Sequence, residues 1–365
     1  MSKINDKIKI ATFGCWNKGC KENSGEKDVL TKLKKKEDEY NFMIVLGDNY
    51  YPEKVVLNED PKYKAKDIQS TVMKNGFDCL KNINLTKKLI MGNHDMEESV
   101  HQGCSVLKYQ LKLPWYDVKY PYGYEYHHVK SGDKYETVLI LYLDTTIYSS
   151  KIGDCYKETL GKTIEELIND QEQFIKNIIE KTASKSVYNL KKVLICGHEP
   201  LFMIKLKKSK NIGIINEPLI DLLFSEMEKL DNIKFTYCCA DYHVYQNTTV
   251  SKGDLSINQF IFGTGGGDLD ELSTVNTLEI KPNYRININD NIVYNIENEN
   301  ISDTHRSFGL AAHGYGEIMI EIDKEISHKF ILAKSPDQQI GGAAVNEFYK
   351  KKYIKYKTKY NYLKN

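Results

Sequence analysis

The chain has 365 residues, 41% hydrophobic and 28% charged, with a formal net charge of +1. That length supports one large core or two smaller ones, and the composition is globular. The charge is uneven: residues 346–365 hold seven Lys and one Glu, leaving −5 on the rest, which argues against general nucleic-acid binding by the body.

In chain order, alternating Lys and Ile over 7–13 predicts a strand entering a core. Val29, Leu30 and Leu33 at helical spacing predict a helix within 25–38, followed by a buried strand at 42–46. A helix over 65–82 and a strand at 88–91 complete a βαβαβ pattern, which implies parallel strands with crossover helices. The aromatic-rich stretch 115–129 and the apolar run 138–143 predict antiparallel strands. A helix over 164–183 leads to a buried strand at 192–196, and a helix at 216–229 with a strand at 233–238 repeats the unit. Strands near 258–262, 316–322 and 328–333 close an α/β domain spanning 1–335. Within it, the Asn-rich residues 277–304 read as a polar surface insertion of disordered composition. Residues 336–345 have linker composition, and 346–365 form a basic Tyr/Lys amphipathic tail.

No run is long enough to span a bilayer, and Met1–Lys7 is charged, without a signal-peptide apolar core. Eight cysteines in a chain this long form no disulfide-framework pattern, so mostly reduced thiols and an intracellular setting are expected. On that reading the sequons Asn84-Leu85-Thr86, Asn247-Thr248-Thr249 and Asn300-Ile301-Ser302 are chance matches.

The chemistry-bearing residues sit where predicted strands end. They are Gly14-Cys15-Trp16-Asn17, Gly47-Asp48-Asn49-Tyr50-Tyr51, Gly92-Asn93-His94-Asp95, Gly197-His198-Glu199-Pro200 and Ala240-Asp241-Tyr242-His243. Carboxylate, amide oxygen and imidazole at neighbouring strand ends suit Zn, Fe or Mn, and exclude a purely Ca-type site. The bland alternatives are turn and capping residues for the motifs and an inert packed thiol for Cys15. His127, His128, His305 and His313 carry no motif and read as packing or surface residues. Cys238 and Cys239 read as buried free thiols, and Lys205, Lys207, Lys208 and Lys210 as a solvated loop.

With these five motifs in this order, residues 8–335 resemble the calcineurin-like metallophosphoesterases, and within them the purple acid phosphatase-like branch. Leu143-Asp144-Thr145-Thr146 and Gly263-Thr264-Gly265-Gly266 are supporting matches. The resemblance implies a four-layer α/β/β/α sandwich with mixed sheets and two metal ions at the strand ends. It implies that Asp48 bridges both metals, that Tyr51 is a phenolate ligand, that Asn93 and His198 bind the second metal and that His243 binds the first. His94 would protonate the leaving group or clamp phosphoryl oxygens, with Asp95 orienting it. A metal-activated hydroxide would attack phosphorus in a phosphorylated small molecule or protein.

Cys15 and Asp241 depart from the family pattern, which has Asp and His there. Both residue types coordinate metal, and both also fit a decayed site. The sequence therefore supports two readings: a metal-dependent phosphoester hydrolase, or a catalytically inactive phosphatase-like scaffold or virion protein. In the tail, Tyr349, Tyr353, Tyr356, Tyr360 and Leu363 follow a heptad seam. This stretch is a candidate for a protein or nucleic-acid partner. The Lys/Asn/Ile/Tyr-rich chain with such a tail resembles proteins of giant DNA viruses, which would place it in a virion or host cytoplasm.

Overall fold

Alternation of Lys7, Ile8, Lys9 and Ile10 turns Ile8 and Ile10 inward and starts β1 (Lys7–Phe13) in the middle of a six-stranded sheet. β1 runs parallel to β2 (Phe42–Leu46), β2 to β3 (Lys87–Ile90) and β3 to the short β4 (Asp117–Val118). On its other side lie β15 (Gly314–Glu321) and β16 (Ser327–Leu332), both antiparallel to their neighbours. The structure is a computed structural model describing residues 6–51, 72–96, 104–148, 155–184, 189–207, 210–230, 233–252, 254–270, 284–287, 292–296 and 310–334.

A second, eight-stranded sheet is built around the parallel strands β6 (Lys134–Tyr142), β7 (Leu190–Cys196), β10 (Lys234–Cys239) and β12 (Leu255–Phe262). β5 (Gly123–Ser131) pairs antiparallel with β6 at one edge. β11 (Tyr245–Lys252), β14 (Ile292–Ile296) and β13 (Tyr284–Asn287) extend the other edge antiparallel. A separate hairpin joins β8 (Phe202–Lys207) to β9 (Lys210–Ile215).

Both sheets are covered on both faces, which is why their parallel strands read as unbroken apolar runs. In β2, Phe42, Ile44 and Leu46 face the opposite sheet and meet Val138, Ile140, Leu194 and Phe260. Met43 and Val45 point the other way, under α1 (Gly25–Lys34) and α2 (Val72–Lys81), which supply Val29, Leu33, Met73 and Phe77. The eight-stranded sheet is covered by α5 (Ile164–Ser184) and α6 (Glu217–Met227) through Ile175, Ile179, Leu219 and Leu223. Each such aliphatic side chain contributes about 1.5–3 kcal/mol by leaving water. α5 starts at a reciprocal cap in which Glu166 N–H donates to Thr163 Oγ1 and Thr163 N–H to Glu166 Oε2. The four-layer α/β/β/α expectation is met.

Three readings are corrected. The polar stretch 277–304 is not wholly irregular: it contributes the paired strands β13 and β14 to a sheet edge. The lysines at 205, 207 and 210 lie on the β8–β9 hairpin rather than on a plain loop, and Lys208 is outside the described residues. The cysteines are not mostly unpaired. Cys20 is bonded to Cys79 and Cys104 to Cys155, while Cys15, Cys196, Cys238 and Cys239 are free and buried. Pairs separated by 59 and 51 residues leave no spacing signal; the topology alone brings them together. Cys104 opens α3 (Ser105–Gln110) as its N-cap, and Cys155 is the first residue of α4 (Cys155–Leu160). No described helix is long and apolar enough to cross a membrane. His305, Asn300, the linker 336–345 and the tail 346–365 lie outside the described residues.

Candidate metal centre

The parallel strands β1, β2 and β3 of one sheet and β7 and β10 of the other release their chains at the same end of the sandwich. The two sheets are sutured there by Gly14 N–H donating to Phe262 O, and Cys15 N–H donates to Gly47 O beside it. Cys15, Asp48 and Asp241 follow directly and adopt left-handed backbone, with φ of 55°, 52° and 48°. Such strain in non-glycine residues costs on the order of 1–3 kcal/mol each and concentrates at functional sites. Glycines in the strand-end turns are required by close approach. A Cβ on Gly47 would lie 2.6 Å from His198 Nδ1, and one on Gly92 2.3 Å from Asp48 Oδ1.

Asp48 sits at the centre, buried, with its two oxygens facing different partners. Oδ2 accepts from the Tyr51 hydroxyl at 2.6 Å and lies 3.8 Å from Cys15 Sγ. The Tyr51 hydroxyl is also 2.9 Å from His243 Nε2. Oδ1 lies 3.2 Å from His198 Nε2 and accepts the His94 backbone N–H at 3.0 Å. His198 Nε2 is in turn 3.2 Å from Asn93 Oδ1 and 3.8 Å from Asp241 Oδ1. One set thus comprises Cys15, Asp48, Tyr51 and His243; the other comprises Asp48, Asn93, His198 and Asp241. The His94 ring lies against Tyr51, with centroids 4.9 Å apart.

Both histidines are oriented from behind. His198 Nδ1 is 2.6 Å from Leu46 O and His243 Nδ1 is 2.5 Å from Asp268 O, so each Nδ1–H donates to a carbonyl and Nε2 points into the cluster. That is the arrangement metal-ligating imidazoles use. The ligand atoms of Cys15, Asp48 and His198 all lie within 4.8 Å of one another. A mixed thiol, carboxylate and imidazole set of this size fits a Zn- or Fe-like ion.

The loops are held from behind by a set of buried polar contacts. Asp95 is fully buried and accepts from the backbone N–H groups of Asn49 and Gly92 and from the side-chain amides of Asn49 and Gln110. Through these contacts its carboxylate fastens the Asp48 loop to the Asn93 loop. Thr145 Oγ1 accepts the backbone N–H groups of His198 and Glu199. Behind it the buried Asp144 accepts from Thr146 and Tyr156 hydroxyls. Gly265 and Gly267 N–H groups donate to the carbonyls of Gly14 and Cys15, fixing that turn. Gln110 is seen only in the structure: it lies on α3, 15 residues past Asp95 and outside every motif. His127 stacks on Phe42, the packing role expected of it.

The electrostatics are those of a compact charged pair. Burial alone would lower the His198 pKa, but the Asp48 carboxylate and then Asp241 outweigh it and push it up to about 10. Burial would raise Asp48, yet His198 and His94 hold it well below the usual carboxylate range. Burial and then the Asp48 charge push Cys15 and Tyr51 well above their ordinary values. Glu199 is pushed up to about 8 by burial and then by Asp241.

No family description and no curated protein matches the sequence. Solved structures do. GAP50, titled the anchor in the inner membrane complex of Plasmodium, aligns with a TM-score of 0.52 and 14% identity over 93% of this chain and 87% of its own. PhoD aligns with a TM-score of 0.50 and 14% identity over 90% of this chain and 69% of its own. The resemblance of the tail to giant-virus proteins finds no counterpart in these comparisons. At such identity the likeness is one of architecture, and the architecture is that of the metallophosphoesterase-fold proteins.

Proposed function

We propose that this chain is a metal-dependent phosphoester hydrolase with an altered ligand set. The observation that carries the reading is the buried Asp48 carboxylate, one oxygen toward Cys15 and Tyr51, the other toward His198. A carboxylate so divided is placed to join two cations. Cys15, Tyr51 and His243 would complete one side, and Asn93, His198 and Asp241 the other. Bound there, Zn, Fe or Mn ions would polarise a phosphoryl oxygen and bring a water's ionisation near neutrality. His94, half-buried beside Tyr51, is the residue for holding phosphoryl oxygens or protonating the leaving group. Asp95 acts as a positioning residue between the loops. The substrate class is a phosphorylated small molecule or protein.

A second reading is a non-catalytic scaffold. Asp241 supports it, since a carboxylate in place of an imidazole repels a phosphate dianion, and GAP50 is by its title an anchor. A protein or nucleic-acid partner of residues 346–365 belongs to either reading, and a virion role to this one. Elemental analysis of protein purified without chelators, with p-nitrophenyl phosphate turnover on the same sample, separates them. Two metals per chain and turnover abolished by Asp48→Asn and by His94→Ala support the hydrolase. Folded protein with no turnover after addition of Zn, Mn or Fe(II) supports the scaffold.

A further inference from the structure

The disulfides change the meaning of a motif that a reduced-thiol reading dismisses. Two bridges, Cys20–Cys79 and Cys104–Cys155, form and persist in oxidising compartments. The secretory route is one such compartment, and there Asn-X-Ser/Thr is a modification signal rather than a coincidence.

Of the two sequons among the described residues, Asn84-Leu85-Thr86 has the geometry to carry a glycan. Asn84 and Thr86 are both exposed, in the turn between α2 and β3. The turn is pinned through its backbone. Asn84 N–H donates to Glu37 Oε2 at 2.7 Å, and the buried Lys87 ammonium donates to the carbonyls of Ile83 and Leu85. These bonds hold the backbone without using the Asn84 carboxamide. The turn also enters β3 at its start, whereas the candidate metal centre lies beyond the end of that strand, so a bulky sugar would leave the centre open. Asn247 is a contrast within the same chain. It lies half-buried inside β11, paired opposite Phe260, and Thr249 of its sequon is buried and close to Asn258. A glycan there would have to emerge from the body of a sheet flanked by β12 and β14.

We propose that Asn84 is an N-glycosylation site and that Asn247 is not. The assay is peptide mapping of the full chain isolated from its native source, under non-reducing conditions. Enzymatic release of N-glycans in heavy-oxygen water converts a modified Asn to a labelled Asp. The expected result is label at Asn84, none at Asn247, and four blocked cysteines. The gel-mobility shift on deglycosylation should be smaller in Asn84→Gln expressed in the same source, with metal content unchanged. Oxidised cysteines with an unlabelled Asn84 would overturn the proposal, and so would label at Asn247. Eight free thiols would overturn it as well, by removing the compartment from the argument.

Discussion

Replacing Cys20 and Cys79 by Ser removes the cross-link between the loop after β1 and α2. The bridge closes 59 residues of chain. The chain-entropy relation for a loop of that length gives about 4 kcal/mol, all of it from freeing the unfolded state. Serine is close in size to cysteine and both positions are half-buried, so little packing is lost with the bond. Urea unfolding of the two proteins, each stripped of metal, measures the difference. The variant should unfold at lower urea by an amount equivalent to roughly 4 kcal/mol. Its m-value should rise, because an uncrosslinked chain exposes more surface. Thiol titration of the parent in denaturant without reductant should count four, matching the four free cysteines. A count of eight, or coincident unfolding curves, would refute the reasoning.

Cys15→Ser exchanges a soft donor for a poor one and should reduce metal content from two per chain toward one, read by elemental analysis, while Cys15→Asp should retain two. Gln110→Leu removes a buried donor from the Asp95 carboxylate, lying 2.7 Å away, and should cost about 2 kcal/mol in thermal or urea unfolding. In metal-stripped protein, His198 binds its proton up to about 10 when folded, against 6.5 as its ordinary value. The folded state therefore holds more protons between those values, and the stability this contributes is full below 6.5 and lost as pH rises through about 10. Unfolding midpoints measured from pH 6 to 10 should fall, and the slope should flatten in His198→Asn.

The strand-end motifs were legible because each couples two local requirements: a glycine or alanine where backbones nearly touch, and a side chain able to bind metal directly after it. Gly47 and Gly92 show why, since a methyl at either would strike His198 or Asp48. The loop-fastening contacts of Asp95 were not legible for a reason of geometry. Asn93–Asp95 is a single 3-10 turn, in which successive side chains diverge by about 120°. Chain neighbours therefore face different surroundings, and Asp95 turns inward to Gln110. The cysteine pairs were hidden because they depend on partners distant in sequence, and β14, with the apolar run Ile292-Val293-Tyr294, was hidden because the Asn-rich residues around it dominate the composition of 277–304. β11 was missed for a related reason: Gln246, Asn247, Thr248 and Thr249 carry too few apolar residues to announce a strand, although three of the four are buried.

The thiol at position 15 also bears on the order of events in making this protein. A family-like carboxylate there would join Asp48 and Asp241 in one small volume, and three anions would oppose closure of the strand ends until a cation arrived. With Cys15 protonated by its burial and His198 carrying a proton opposite Asp48, the centre is close to neutral when the chain first folds. Folding then need not wait for loading. The metal would enter a finished cradle by exchange with the protons that held its place, so that acquisition releases acid and quickens as the surroundings become more alkaline.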